Sequence, residues 1–200
     1  MHSRWAMIVG LVVLVTISVQ FTFAGEKKKM KADSKVMMET SEGAITIELW
    51  ANKTPQSVEN FLRYVGEKFY DATIFHRVID GFMIQGGGLT ADMQRKPTHK
   101  PIQNEASAEL KNDRGTISMA RTQDIHSATS QFFINVADNN FLNHRDSTPQ
   151  GFGYAVFGKV VDGMDVVDRI KGVKTTTSGP NRDVPEKPVI IKSIRLLEED

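Results

Sequence analysis

"FHRVIDGFMIQGGG", residues 75–88, sets an arginine, Arg77, and a glutamine, Gln85, inside an apolar run of Phe75, Val78, Ile79, Phe82, Met83 and Ile84, then closes with three glycines. Asp80 and Gly81 make a turn signal, so the stretch divides into two short strands, 75–79 and 82–85. Side chains alternate along a strand, which sends Arg77 to one face with Phe75 and Ile79. Phe82, Met83 and Gln85 then lie near the mouth of that face. Two readings of Arg77 stay open from position alone: a surface salt bridge, or a donor aimed at something bound. The glycines lack the G-x-G-x-x-G spacing of a phosphate cradle and predict a turn or a close backbone approach.

Working outward, the same kind of short apolar run recurs in "GTISMAR", "SQFFINV" and "YAVFGKVV". "VMMETSEGAITIELW" reads as a hairpin turning at Ser41, Glu42 and Gly43, because Ile45, Ile47 and Leu49 alternate with Thr46 and Glu48. "KPVIIKSIRLLEE" reads as a closing strand. Two helices interrupt the strands. In "KTPQSVENFLRYVGEKF" Thr54 is the expected N-cap, Pro55 opens the helix, and Val58, Phe61, Leu62 and Val65 recur at i, i+3, i+4 and i+7. "DGMDVVDRIKG" predicts a shorter one, starting at Asp162 or Gly163, with Arg169 and Lys171 in its last turn and Gly172 just past its end. Many strands and two helices predict a mostly β domain, and closing the sheet into a barrel would remove its exposed edges.

The 200 residues, 40% of them hydrophobic, suit one domain with a closed core. Residues 1–24 are set apart from it. Arg4, the uncharged apolar run 6–19 and "TFA" before Gly25 have the n-region, h-region and small-residue site of a secretory signal cut after Ala24. The alternative is an uncleaved anchor, since about 19 uncharged residues could just span a bilayer. Lys27, Lys28, Lys29 and Lys31 sit where positive charge tends to hold a segment on the cytoplasmic side, against export. Residues 25–35 read as a basic, solvated leader and 36–200 as the folded domain. The chain has no cysteine, which removes disulfides and a lipid-modified cysteine at the cleavage site. Without residues 1–24 the 25 basic and 24 acidic side chains become 24 and 24, and a nucleic-acid binder would carry a basic excess.

Familiar catalytic constellations are missing: no G-x-S-x-G elbow, no P-loop, no H-E-x-x-H, and five scattered histidines without zinc-ligand spacing. What the chain does offer, in "SATSQFFINVADNNFLN", is a second run where amides interleave with Phe133, Phe141 and Leu142. Taken singly, those aromatics would pass for core.

Taken together, "FHRVIDGFMIQGGG", "GTISMART", "SATSQFFINVADNNFL" and "FGYAVFGKVVDGMDVVDRI" resemble the cyclophilin family of peptidyl-prolyl cis/trans isomerases, from about Val36 to Leu197. The likeness is greatest to the exported bacterial members. It implies an eight-stranded antiparallel β-barrel capped by two helices, with Arg77 as the catalytic arginine and Phe82, Met83, Phe133 and Leu142 as the proline pocket. It assigns substrate-binding amides to Gln85 and Gln131 and lays the substrate backbone along Ala120 and Arg121. Two positions depart from the best-known eukaryotic pattern: Phe141 replaces a tryptophan, and Tyr154 replaces a histidine at the pocket edge. Losing the indole N–H predicts weaker binding of cyclosporin-type cyclic peptides with the isomerase reaction retained. The expected partners are proline-containing peptides and unfolded proteins, met by a periplasmic monomer needing no metal or cofactor. Membrane attachment would follow only if the signal is kept. A barrel that binds proline peptides without turning them over is the rival reading. "NHRDSTPQG", residues 143–151, is a polar loop to which no role attaches.

Overall fold

In β1 (Lys35–Thr40) Val36, Met38 and Thr40 are buried while Lys35 and Glu39 are exposed, and in β2 (Gly43–Leu49) Ile45, Ile47 and Leu49 are buried. That period of two puts one face of the hairpin in a core. The structure is a computed structural model describing residues 34–197. The apolar segment 1–24 and most of the lysine-rich leader lie outside the described residues.

The chain continues through α1 (Pro55–Gly66), β3 (Thr73–Ile79), β4 (Met83–Thr90), β5 (Thr116–Met119), β6 (Phe132–Asn135), a 3-10 turn (Asn140–Leu142) and β7 (Val156–Asp162). α2 (Met164–Lys171), β8 (Thr175–Ser178), β9 (Asn181–Pro185) and β10 (Val189–Leu196) complete it. Eight strands close into an antiparallel barrel in the order β1-β10-β3-β4-β6-β5-β7-β2, as expected. Both helices bury their apolar stripes in the same core as the barrel interior. Phe61 of α1 brings its ring within 5.2–5.7 Å of those of Tyr70, Phe132 and Phe157, and α2 contributes Val166, Val167 and Ile170.

Three local features differ from the sequence reading. Phe75 does not share a face with Arg77. Phe75 pairs with Gly86 and Arg77 with the next residue, Gln85, so His76 is an extra residue, a β-bulge. The bulge resets the alternation: Phe75 and Val78 point into the core, while Arg77 and Ile79 point outward. Secondly, β8 and β9 form an unanticipated two-stranded hairpin outside the barrel. It has almost no apolar alternation to announce it.

Thirdly, Thr54 occupies the N-cap position of α1, but its side chain makes no cap. The carboxylate of Glu105 replaces it, accepting from the backbone N–H of Gln56 (3.0 Å) and of Ser57 (2.7 Å). A negative charge there also complements the helix dipole. The ends of α2 are as expected, with Gly163 as its N-cap, left-handed at φ +85°, and Gly172 just past Lys171.

Candidate active site

Strands β4 and β6 are apolar on both faces. Ile84, Phe132 and Ile134 fill the barrel, while Met83 and Phe133 point outward and meet Leu142 in a second, smaller cluster. Ile79, Phe82, Ala120 and Tyr154 surround it. Between them is a slot of about 120 Å³ lined by Arg77, Phe82, Met83, Gln85, Ala120, Arg121, Phe133, Leu142 and Tyr154. That is close to the roughly 150 Å³ of an apolar cavity that takes up benzene, so one small ring fits.

The polar residues of the opening stretch stand on the rim. The Nε2 of Gln85 donates to Oε1 of Gln131 at 2.9 Å, which fixes both amides. The glycine run explains why Gln131 can stand there. A Cβ on Gly88 would fall 2.5 Å from Cγ of Gln131, and one on Gly87 (φ +80°) 2.6 Å from the Phe132 ring. Of the two expectations for those glycines, close approach is the one realised. Arg77 has its guanidinium 5.9 Å from the centre of the Phe82 ring, and its Nε lies 3.7 Å from Oδ2 of Asp183 on β9. The salt-bridge reading of Arg77 is therefore realised, and the same side chain lines the slot.

Nine of the eleven residues singled out from the sequence line the slot itself, and the other two adjoin it. Gln131 touches the slot through Gln85. Phe141 is not in its wall: successive residues of a 3-10 turn point about a third of a turn apart, so with Leu142 turned inward Phe141 stands 64% exposed. Its ring lies 5.4 Å from that of Phe82, and it borders a neighbouring open hollow with Leu142, Pro149, Gln150 and Tyr154. Arg121 lines the slot, but its guanidinium is tied to the loop: Nε donates to Gly153 O (3.0 Å), Nη1 to Thr122 O (2.9 Å) and Nη2 to Pro149 O (2.8 Å). It also lies 4.7 Å over the Tyr154 ring. The unassigned loop 143–151 is thus clasped beside the slot and tied internally by Asp146, which accepts from Thr148 N at 2.8 Å.

Sequence reading missed what holds the slot from behind. Asn112, Asn135, Asn139 and Asn143 are buried. Asn139 Nδ2 donates to the carbonyl of Phe82 (2.8 Å) and to Asn135 Oδ1 (2.8 Å), and Asn143 Oδ1 accepts from Asn112 N (2.7 Å). Asn112 Nδ2 reaches the carbonyl of Leu142 at 3.2 Å. Two walls of the slot, Phe82 and Leu142, are therefore anchored by backbone bonds to one buried amide network. The amide-rich "NVADNNFLN" carried the signal. His76, beside Arg77, is buried with no hydrogen-bond partner for Nδ1 among the described residues. Desolvation, with the charges of Arg95 and Arg77 nearby, lowers its pKa to about 4.

The family model for cyclophilin type peptidyl-prolyl cis-trans isomerase/CLD matches residues 35–196, a span that begins with β1 and ends with β10. The chain belongs to the cyclophilin family. This cyclophilin is 60% identical over 164 residues to the peptidyl-prolyl cis-trans isomerase cyp18 of Streptomyces antibioticus, covering 82% of this chain and 99% of that one. It is 58% identical over 163 residues to peptidyl-prolyl cis-trans isomerase B of Escherichia coli, with 82% and 99% covered. A cyclophilin type isomerase of Cryptosporidium parvum, 28% identical, superposes with a TM-score of 0.69 over 84% of this chain and 99% of its own. A second structure of that enzyme was determined in the presence of the dipeptide Ala-Pro. With such identity across whole relatives, this cyclophilin is a peptidyl-prolyl cis-trans isomerase.

Proposed function

We propose that this isomerase acts on proline-containing segments of exported, still-unfolded proteins, and that Arg77 is the donor to the prolyl nitrogen. The observation that carries the second part is the position of Arg77 in the lining of an apolar slot, beside its cross-strand partner Gln85, whose amide is paired with that of Gln131. Export is supported by the order of Arg4, the apolar run and "TFA" in residues 1–24.

Chemistry dictates the rest. An X-Pro bond turns slowly because the C–N bond has partial double-bond character, with a barrier of about 18–20 kcal/mol. Twisting it breaks the conjugation and returns a lone pair to nitrogen. Catalysis then needs a fixed donor aimed at that nitrogen, an apolar place for the ring, and a grip on the flanking backbone. Arg77 is charged at any working pH and presents a rigid fork of N–H groups. Phe82, Met83, Phe133 and Leu142 hold the ring, in surroundings that favour the less charge-separated twisted amide. Gln85, its amide pinned by Gln131, retains a second N–H for the carbonyl beyond the bond.

A preorganised donor of this kind contributes about 2.7–4 kcal/mol, or roughly 10²–10³ in rate. The remaining acceleration comes from holding the amide ready to twist. The test is the cis-to-trans rate of a short X-Pro peptide with residues 25–200 and with the same protein carrying Arg77→Ala. A fall of two to three orders of magnitude in a folded variant is expected; a fall below about fivefold rejects the donor role. Mass spectrometry of the protein recovered from the periplasm of its host tests export: a chain starting at Gly25 is expected, and a full-length, membrane-pelleting chain refutes it.

A further inference from the structure

Among the described residues Arg77 has one ion-pair partner, and it comes from the hairpin that stands outside the barrel. Asp183 on β9 places Oδ2 3.7 Å from Arg77 Nε, each side chain about two-fifths exposed. Two local irregularities aim these groups at each other. On β3 the bulged His76 turns Arg77 outward. On β9 the ladder with β8 skips between Val184 and Asn181, so Arg182 and Asp183 together face Thr177 alone, a second bulge. Asp183 itself is left-handed, φ +59°, a conformation that residues other than glycine adopt rarely and Asp and Asn most readily. Bulges beside active sites commonly re-aim a side chain. Here two of them converge on one ion pair.

The pair engages Nε, the inner nitrogen of the guanidinium, of a residue that also lines the slot. The ring of Phe82, 5.9 Å away, bounds the guanidinium as well. An arginine held at Nε loses less freedom when its outer nitrogens meet a twisting amide than one that must first be ordered.

We propose that Asp183 is a positioning residue for Arg77: the β8–β9 hairpin holds its carboxylate against Nε so that the outer N–H groups are already presented to the prolyl nitrogen. This rests on the donor role of Arg77, and the test separates the two.

Asp183→Asn keeps the shape and the tolerance for a left-handed backbone while removing the charge. Partly exposed ion pairs of this kind are weak, so the expected loss in kcat/KM is about two- to fivefold. Peptide affinity measured by NMR titration should not change, because the loss falls on the turnover step. Raising ionic strength should bring the wild-type rate down toward that of the variant and leave the variant flat, since salt screens the pair. Asp183→Gly, which relieves the left-handed residue, should match or exceed wild-type stability while showing the same loss of rate. In an Arg77→Ala background Asp183→Asn should have no further effect.

Asp183→Asn at the wild-type rate beside a crippled Arg77→Ala overturns the positioning role and leaves the donor role standing. An equal loss in both backgrounds also overturns it, because Asp183 would then act independently of Arg77. A fully active Arg77→Ala removes the donor role, and this inference with it.

Discussion

The two faces of β4 and β6 differ in how they are filled. Inside the barrel Ile84, Phe132 and Ile134 belong to one core cluster with residues of α1, α2 and every other barrel strand, and Phe132 by itself lies edge-on to Phe61, Tyr70 and Phe75. Outside, Met83 and Phe133 find only Leu142 and a ring of half-buried neighbours, and a slot remains. One sheet therefore serves stability on its inner face and, in the function proposed above, catalysis on its outer face, so that the two should be separable by mutation.

Mutations ought to sort by face. Phe61→Ala, which empties the contact among Tyr70, Phe132 and Phe157, should cost about 3–5 kcal/mol in chemical denaturation while leaving kcat/KM of the folded fraction within about twofold. A comparable loss of activity in protein that is still folded would mean that the core and the slot are coupled. Arg77→Ala is the converse: the activity loss given above, with the denaturation midpoint nearly unmoved. An exposed arginine outside the barrel has little to contribute to the fold.

His76 sits between the faces, at the bulge behind Arg77, and should show on the stability side through pH. Its folded pKa of about 4 lies below the ordinary 6.5, so the unfolded chain takes up a proton in that interval and the folded one does not. Stability is fully present above pH 6.5 and declines toward pH 4, by about 3 kcal/mol from this residue alone. Carboxylates such as Asp168, held low by its hydrogen bond from Arg114, add their own acid loss. The informative quantity is consequently the difference between wild type and His76→Gln in urea midpoints at pH 7 and pH 4. A parallel decline in both proteins would assign the acid sensitivity elsewhere.

The smallest effect concerns the rim. Phe141 has no N–H to donate, and its exposed ring stands outside the slot wall. Phe141→Trp should tighten a cyclosporin-type cyclic peptide by about two- to tenfold, the value of one neutral hydrogen bond, and change peptide isomerisation by less than twofold. Nanomolar inhibition of the unmodified protein would contradict that expectation.

Much of this molecule could be read before folding. The alternation of Ile45, Ile47 and Leu49, the helical spacing of Val58, Phe61, Leu62 and Val65, and the amides set among aromatics in "FMIQGGG" and "SQFFINV" are local patterns, each tied to a period or a motif. They pointed to the barrel strands and the two helices, while the residues that meet at the slot were assigned by the resemblance to cyclophilins. Other features depended on register and on contacts between distant segments. Only the pairing of β3 with β4 shows that His76 is extra, which decides that Phe75 turns in while Arg77 turns out. The β8–β9 hairpin had a signal in the Gly179-Pro180 pair between "TTTS" and "NRDVP", with Gly179 at φ +57°, but just one apolar side chain, Val184, between its polar strands. Its meeting with Arg77 joins residues far apart in the chain. The same holds for Glu105 capping α1 and for the asparagines behind Phe82 and Leu142. A hydrogen-bonding side chain carries no periodicity that names its partner, so the sequence settles which groups need one and the tertiary structure settles which one they get.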